Sequence, residues 1–314
     1  MCNMNVMIVT NSRYLKTTIV MLYSLFQQES GDVTVYMPYE DIRREELDAL
    51  TKFAASWEGK QLIPLYVGTG FKEAVASRNG IMVETYYRII GWDLLPKTVE
   101  RILYLDVDMV IRKTLQNLYQ MPMGDKLFVV CEDIFGKING FHEANKRRLG
   151  IPETGNYFNA GMMLVNVKEL RRTGEVKEIL RRVYQDYERY EYNDQDVLNE
   201  MYQDRLIYVG WDQYNCPPAW YYMDRKAAER GELRFADYNE IRELQSDPER
   251  FRDEYINLTA QMAEQAVIIH HLADTKPWNE KRKTGRVYEY FDKCYDVIEA
   301  DALHIYEQIS GVSL

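Results

Sequence analysis

The chain has 314 residues, of which 46% are hydrophobic and 28% are charged, a composition typical of a globular protein. Its net charge of −10 argues against a general nucleic-acid surface, and no stretch approaches the roughly 18–20 consecutive apolar residues of a membrane span. The four cysteines are far apart, so neither a zinc site nor a disulfide framework is indicated. Because the first residues also lack the basic start of a signal peptide, we expect a cytoplasmic protein.

Strand and helix patterns alternate along the chain. Apolar runs predict strands at residues 5–10, 33–37, 61–67, 101–111, 126–131, 161–167, 206–209 and 267–271. Apolar residues at helical intervals predict helices at 15–27, 41–55, 83–92, within 168–203, and at 287–309. Strands that alternate with helices of about ten to fifteen residues form βαβ units, so we predict an α/β fold with a mostly parallel sheet flanked by helices. Residues 216–266 carry much charge and no clear strand, and we interpret them as a helical insertion or lid.

The apolar run at 101–111, RILYLDVDMVI, predicts a buried strand that ends in two aspartates, Asp106 and Asp108. In an extended chain, side chains at i and i+2 point to the same side, so these carboxylates would aim together at one point of a cleft. Two like charges this close repel unless a cation lies between them, which favours a divalent cation with a phosphate ligand. Two surface aspartates in a solvated loop are the alternative.

Residues 270–278, HHLADTKPW, add groups that suit such a site. Imidazole binds Mn²⁺-class ions alongside carboxylates, and Lys276 offers a point charge for diphosphate oxygens. A pair of structural histidines at the end of a strand is the alternative interpretation of His270 and His271.

Two further motifs carry polar groups that could contact a ligand. In YFNAGMMLVN, at 157–166, the small residues after Asn159 let the backbone approach a ligand, and the amide offers a donor and an acceptor to hydroxyl groups. In NDQD, at 193–196, three polar groups open a helix and can bind sugar hydroxyls. A plain turn before a strand and a simple helix N-cap are the respective alternatives.

Together, these motifs and their order resemble glycosyltransferase family 8, the retaining GT-A enzymes that include bacterial lipooligosaccharide galactosyltransferases and glycogenin. The resemblance extends from the first strand to Trp278. It implies a GT-A (Rossmann-like nucleotide-diphospho-sugar transferase) fold, a UDP-galactose or UDP-glucose donor, Mn²⁺ or Mg²⁺ as cofactor, and transfer with retention at the anomeric carbon. The acceptor would be a saccharide or a glycolipid, and a lipid-linked acceptor would bring the enzyme to the inner face of the cell membrane.

The resemblance also implies a domain organisation. Residues 1–280 would form the catalytic domain, in which the insertion at 216–266 lies on the acceptor side, and residues 281–314 would form a helical tail. The acceptor would meet residues 211–266, where an acceptor sugar could stack on Trp211, Tyr214, Trp220 or Tyr221, although core packing explains such aromatics equally well.

Carried over position by position, the resemblance implies that Asp106, Asp108 and His270, rather than His271, bind the metal. Gln195, Asp194 and Lys276 would form the catalytic set, with Lys276 on the donor diphosphate. The implied donor contacts are Thr10, Asn11, Tyr14, Arg88, Asp106, Val107, Asp133, Asn159, Ala160, Asp194, Gln195 and Lys276. Glu132 is the alternative to Asp133 for the same donor contact. Ala273 occupies a position at which the family usually has glycine.

Two routes would give retention. Double displacement needs a carboxylate beneath the anomeric carbon, whereas in front-face attack the departing phosphate takes the proton of the acceptor. Because an amide is a poor nucleophile, Gln195 in that position would favour the front-face route. A sugar nucleotidyltransferase would show a G-x-G-x-R loop after the first strand, where this chain has TNSRY. A catalytically silent UDP-sugar or nucleotide-binding protein of the same fold is the remaining alternative.

Overall fold

The computed structural model describes residues 3–68, 83–138, 141–217, 264–272, 276–278 and 286–312. Most of the predicted insertion at 216–266, the departure at Ala273 and the start of the predicted tail at 281–285 lie outside the described residues.

The described residues contain a seven-stranded main sheet and a separate strand pair. In chain order the strands are β1 Met4–Met7, β2 Val33–Tyr39, β3 Lys60–Tyr66, β4 Ile102–Leu105, β5 Met109–Ile111, β6 Phe128–Glu132, β7 Phe158–Val165, β8 Leu206–Val209 and β9 Ile268–His270. The main sheet has the order β3-β2-β1-β4-β7-β6-β8, and β5 pairs with β9. Only β7 runs antiparallel to its neighbours in that sheet, so the predicted mixed, mostly parallel architecture is confirmed.

Helices cover both faces of the sheet. They are α1 Leu15–Gln28, α2 Arg44–Ala55, α3 Tyr87–Leu94, α4 Gln116–Tyr119, α5 Ile134–Ile138, α6 Phe141–Leu149, α7 Val167–Thr173, α8 Glu175–Asp186, α9 Asn193–Met201, α10 Trp211–Tyr214 and α11 Arg286–Ser310. The predicted helix at 83–92 begins as a 3-10 turn, Val83–Tyr86, before α3. The helical stretch within 168–203 is three helices, because Gly174 ends α7 in the left-handed conformation at φ 74°.

Two hydrophobic cores lie on opposite faces of the sheet because side chains alternate along each strand. Val6 and Leu103 pack with α1, α2 and α11, whereas Met7 and Tyr104 pack with Trp92 of α3. The C-terminal helix α11 shares the first core, where its Ala302 and Tyr306 are fully buried. The domain boundary predicted near residue 280 stays a prediction.

The predicted β-run at 101–111 forms two strands, and Asp106 and Asp108 follow the end of the first, as predicted. Strand β4 ends at Leu105, opposite Met162 of β7, and the chain turns at residues 106–108. It then leaves the main sheet as β5, whose Met109 pairs with His270 of β9. The physical reason is that Asp is disfavoured within a strand, so the two carboxylates occupy the turn between the sheets.

Strand β7 begins three residues earlier than predicted and contains a bulge. Its register against β6 jumps from Val130↔Met163 to Cys131↔Asn159, so residues 160–162 have no partner on β6. A bulge leaves backbone groups free of the ladder, which makes them available to side chains.

Candidate active site

The carboxyl ends of β1 and β4 open onto a cavity of about 210 Å³. The predicted donor or metal residues that line it are Thr10, Asn11, Tyr14, Arg88, Asp106, Val107, Asp108 and Lys276. They come from the loop after β1, from α3, from the turn between β4 and β5, and from the segment after β9. This edge is where open α/β sheets bind ligands, because loops from several strands meet there.

Asp106, Asp108 and His270 converge at one side of the cavity. His270 Nε2 lies 3.1 Å from Asp108 Oδ1 and 3.8 Å from Asp106 Oδ2. One ligand atom from each residue falls within 4.8 Å of the others, close enough for a single ion. The turn after β4 and the pairing of β5 with β9 bring these three residues together. A hydrogen bond from His271 N–H to Asp108 O at 2.9 Å also joins the two segments.

The atoms of this cluster suit a divalent cation. Within the described part of the chain, neither His270 Nε2 nor Asp108 Oδ1 makes a hydrogen bond of normal geometry, although both atoms are buried. Buried polar atoms without such bonds are uncommon in folded proteins and require an explanation. Two carboxylates and one imidazole form a donor set that fits Mn²⁺-class ions, so a metal ligated by these three residues explains the arrangement.

Gly161 makes the space for this cluster. A Cβ atom at that position would lie 2.4 Å from His270 Cε1 and 2.8 Å from Asp106 Oδ2. The backbone of β7 therefore forms one wall of the cluster, and any side chain there would displace its ligands. The structure thus shows the Gly161 backbone close to His270 and Asp106, while the approach of this backbone to a ligand stays a prediction.

Lys276 lies beside the same cluster. Its Nζ is 2.6 Å from Asp108 Oδ2 and 5.7 Å from the centre of the Tyr14 ring. Burial by itself would raise the pKa of the Asp108 carboxyl, but the positive charge of Lys276 beside it holds that pKa below its usual range. Burial opposes ionisation of Lys276 as well, yet Asp108 raises its pKa above the ordinary value. Both groups are therefore charged at neutral pH.

Arg88 connects the metal cluster to the other predicted residues. Its guanidinium lies 3.4 Å from Asp106 Oδ1, its Nε forms an ion pair with Asp194 Oδ2 at 3.0 Å, and its Nη1 donates to Ala160 O at 2.6 Å. It also stacks 4.1 Å above the Tyr104 ring. Although burial opposes its charge, Asp194 and the neighbouring groups raise the pKa of Arg88. The predicted donor-binding arginine thus already holds two carboxylates together.

The remaining predicted sugar contacts do not line this cavity. They lie on β7, on α9 and after β6, and they are Asp133, Asn159, Ala160, Asp194 and Gln195. Gln195 Oε1 accepts from Ala160 N–H at 2.9 Å, and Gln195 Nε2 donates to the Tyr157 hydroxyl at 3.2 Å. The bulge frees that Ala160 N–H, because β6 has no partner for it.

Asp194 stands in the first turn of α9 and is fully buried. Burial raises the pKa of its carboxyl to about 6, and Arg88 only partly offsets this effect. The preceding Asn193 has a left-handed φ of 50°, and the N-cap of α9 is Tyr192, with no side-chain cap. Asn193 and Asp194 therefore do not act as the N-cap, although Asp196 Oδ2 accepts from the N–H of the N-cap residue Tyr192 at 2.8 Å. Asp194 and Gln195 instead make the contacts with Arg88, Ala160 and Tyr157 described above.

The two adjacent histidines have different surroundings. His270 joins the aspartates, whereas the ring of His271 packs edge-on against Trp278 and Tyr295, at centroid distances of 6.2 and 5.4 Å. Tyr295 belongs to α11, so the C-terminal helix supports the segment that carries Lys276. His271 is thus a structural histidine.

Other predicted residues have identifiable local roles. Asn11 caps the 3-10 turn Ser12–Tyr14 by accepting from Arg13 N–H at 3.0 Å, and Thr10 shares a hydrogen bond with Thr18 at 2.7 Å. Burial raises the pKa of the Asp133 carboxyl, which accepts from Gly136 N–H.

Glu132, the alternative to Asp133 as a donor contact, forms an ion pair with Lys137 at 3.0 Å. The donor contacts implied for these residues stay predictions.

Sequence reasoning missed two residues that hold the cluster. Tyr104 donates to Asp106 Oδ1 at 2.6 Å, and its position two residues earlier on the same face was a usable signal. Asn215 contacts His270 at 2.6 Å, but only a bridge between Cys216 and Ile269 brings it there, so no local pattern could have found it.

Comparison with known proteins decides the family. The model of Glycosyl transferase family 8 matches residues 5–282, most of the chain. The chain belongs to glycosyl transferase family 8. The resemblance predicted from the motifs is therefore confirmed, and membership makes the chain a glycosyltransferase by family.

Several known proteins are similar to this chain at low identity. General stress protein A of Bacillus subtilis is 25% identical over 89% of this chain and 88% of its own length. A lipopolysaccharide 1,2-glucosyltransferase of Escherichia coli is 22% identical over 87% of this chain and 72% of its own. The galactosyltransferase LgtC, solved with donor and acceptor sugar analogues, superposes with a TM-score of 0.70 at 20% identity, covering 95% of this chain and 96% of LgtC.

The structural likeness confirms the predicted GT-A fold. The Asp106, Asp108 and His270 cluster fits the D-x-D type of metal site that the motifs indicated. Among the described residues, no helix has both the length and the apolar character needed to cross a membrane.

Proposed function

We propose that this chain is a retaining hexosyltransferase that moves galactose or glucose from a UDP-sugar to a saccharide acceptor, with Mn²⁺ held by Asp106, Asp108 and His270. The observation that carries the proposal is the convergence of these three residues beside Lys276 at the edge of the cavity. An isolated aspartate pair would leave the solvated-loop alternative open, whereas a buried imidazole aimed at both carboxylates favours an ion.

The charges of the site suit departure of a diphosphate. When bound, the divalent cation neutralises negative charge that grows on the UDP leaving group. Lys276, held charged beside Asp108, supplies a second positive group at the same edge of the cavity. Tyr14, partly exposed beside Lys276, offers a ring for the base, and Thr10 and Asn11 line the same side.

The surroundings of the α9 carboxylates favour front-face transfer. Asp194 is paired with Arg88, and Asp196 is fully buried between Arg148 Nη2 at 2.9 Å and the Tyr157 hydroxyl at 2.6 Å. A carboxylate that attacks the anomeric carbon must leave such partners, at the cost of an unpaired buried charge on the other side. Gln195, bonded through both ends of its amide, would orient the sugar rather than attack it.

The acceptor is proposed by class. The lipopolysaccharide glucosyltransferase among the relatives supports a saccharide acceptor, free or lipid-linked. A lipid-linked acceptor would place the enzyme at the inner face of the cell membrane by peripheral contact, and a free saccharide would leave it in the cytoplasm.

The test is a screen for UDP release from a panel of UDP-hexoses with Mn²⁺, followed by NMR determination of the anomeric configuration in the product. We expect one or two active donors, a retained configuration, and loss of activity in Asp108→Asn. Full activity of Asp108→Asn would refute the metal site, and an inverted product would refute retention. Binding of a UDP-hexose without hydrolysis or transfer would favour the silent binding protein.

A further inference from the structure

A series of hydrogen-bonded amide side chains lies on the side of His270 that faces away from the two aspartates. His270 Nδ1, on the side of the ring away from the aspartates, lies 2.6 Å from Asn215 Oδ1. Asn215 Nδ2 in turn lies 3.0 Å from Asn159 Oδ1, which also accepts from Gly161 N–H at 3.0 Å. Asn215 and His270 are 3% and 1% exposed, so water does not compete for the bond between them.

The donor and the acceptor of each hydrogen bond in this series follow from one backbone group, the Gly161 N–H. A peptide N–H can only donate, so the Asn159 atom that faces Gly161 must be its carbonyl oxygen. That oxygen can only accept, which requires the NH₂ end of Asn215 to face it. The carbonyl end of Asn215 therefore faces His270, and His270 Nδ1 must carry a proton to donate to it.

A protonated Nδ1 determines what His270 offers on its other side. In a neutral imidazole with the proton on Nδ1, the lone pair is on Nε2. Nε2 is the atom that faces Asp108 and Asp106, at 3.1 and 3.8 Å. A partner that holds the second nitrogen of a ligating histidine usually fixes its tautomer and its orientation.

We propose that Asn215 is a positioning residue that fixes His270 as the Nδ1–H tautomer and so presents the Nε2 lone pair to the metal. The inference rests on the proposed function, since it assigns Asn215 a part in the same metal site. It also gives Asn159 a role besides the implied sugar contact: the Asn159 carbonyl sets the orientation of Asn215. The β7 bulge, Asn159, Asn215 and His270 thus form one hydrogen-bonded series that ends at the cation.

The first test reads the tautomer without metal, in the full-length protein. The chain has four histidines, so long-range ¹H–¹⁵N spectra of ¹⁵N-histidine-labelled protein are simple enough to assign by single substitution. We expect His270 to be protonated at Nδ1 in the wild type and in Asn215→Asp, whose carboxylate still accepts that proton. In Asn215→Ala we expect a mixture of tautomers. A single Nδ1–H tautomer in Asn215→Ala would overturn the inference.

The second test measures Mn²⁺ binding by the EPR signal of the free ion, with no nucleotide present. Loss of the partner behind a ligating histidine typically weakens metal binding about 10–100-fold, which is the loss we expect in Asn215→Ala. Electron spin echo modulation from the directly bound ¹⁴N should also weaken in that variant. Unchanged affinity and unchanged ¹⁴N modulation would overturn the inference.

Asn199→Ala is the matched control. Asn199 is also a buried asparagine that bonds to β7, with Oδ1 accepting from Phe158 N–H and Nδ2 donating to Phe158 O, but it contacts no residue of the metal cluster. We expect it to lower the melting temperature and leave Mn²⁺ affinity unchanged. Equal loss of affinity in both variants would mean that Asn215 acts only through stability, which overturns the inference.

The two proposals can fail separately. If the wild type binds no Mn²⁺, the metal part of the proposed function fails, while the tautomer of His270 still decides the role of Asn215. If the wild type binds Mn²⁺ and Asn215→Ala binds it equally well, the positioning role fails and the proposed function stands.

Discussion

Gly161→Ala should damage the metal site more than it damages the fold. The added Cβ would lie 2.4 Å from His270 Cε1 and 2.9 Å from Asn159 Oδ1. Carbon atoms pack at about 3.5–4.0 Å, so the strand or the imidazole must move by roughly 1 Å. The backbone of Gly161 lies outside the left-handed region, so alanine brings a steric cost without backbone strain.

The magnitude follows from that displacement. Overpacking of a buried position costs about 1–3 kcal/mol, which we expect as the loss of unfolding free energy in urea. Metal–ligand distances tolerate only about 0.2 Å of change, so a shift of about 1 Å should weaken Mn²⁺ binding at least about tenfold. Binding is measured by Mn²⁺ EPR titration at a temperature where both proteins are folded.

Gly91→Ala is the control for Gly161→Ala. A Cβ at Gly91 would lie 2.4 Å from Pro38 Cγ, the same overlap, but between α3 and β2. It should lower stability, with some compensation from the better helix propensity of alanine, and leave Mn²⁺ affinity unchanged. Wild-type Mn²⁺ affinity in folded Gly161→Ala would refute the claim that β7 backbone forms a wall of the metal site.

Three further predictions concern the charges around the cavity. Because the pKa of Asp194 is raised from 3.8 to about 6, its contribution to stability is complete below pH 3.8 and is lost as the pH rises through 6. In urea, the unfolding free energy of the wild type should therefore fall by about 1–2 kcal/mol between pH 5 and 8 relative to that of Asp194→Asn. Parallel pH profiles of the two proteins would contradict this. Arg88→Ala leaves two carboxylates without their shared partner and should cost about 3–5 kcal/mol of unfolding free energy; a loss below about 1 kcal/mol would mean that the clamp is not needed. Lys276→Met removes a cation that competes with Mn²⁺ for Asp108, so Mn²⁺ should bind at least as tightly. The KM for the UDP-sugar should rise about tenfold, which corresponds to the loss of one charge-assisted contact. An unchanged KM in steady-state kinetics would mean that Lys276 does not bind the donor.

The βαβ half of the fold could be predicted because local patterns are sufficient there. Strands β2 and β3 and helices α1 and α2 are continuous apolar or amphipathic stretches, and their predicted bounds are correct to within about three residues. The short helices α5 and α6 were missed because α5 has only five residues, too few to show a helical period, and α6 is mostly polar.

The candidate site could be predicted only in part, for a reason that the aspartate turn illustrates. The sequence showed that Asp106 and Asp108 belong together, but the argument from an extended strand was wrong. Their convergence comes from a turn and from β9, more than 150 residues later in the chain. Asn215 is the extreme case, because its contact with His270 exists only through long-range pairing.

The bulge in β7 explains how one short strand segment can position both the metal cluster and the carboxylate of α9. Asn159 is the last residue before the gap in pairing with β6, and the backbone of Ala160 and Gly161 bonds to side chains or to β4 instead. Ala160 N–H binds Gln195, Ala160 O binds Arg88, and Gly161 O binds Asp106 N–H at 2.8 Å.

A shift of one residue in this register would turn these backbone groups toward the other neighbouring strand and move every side chain of the strand to the opposite face of the sheet. It would separate Gln195, Arg88 and Asp106 from the strand at once, and it would put a side chain in the space that Gly161 leaves for His270. The metal cluster and the carboxylate of α9 are therefore positioned by the same register, which Arg88 secures by binding Asp106, Asp194 and Ala160 together.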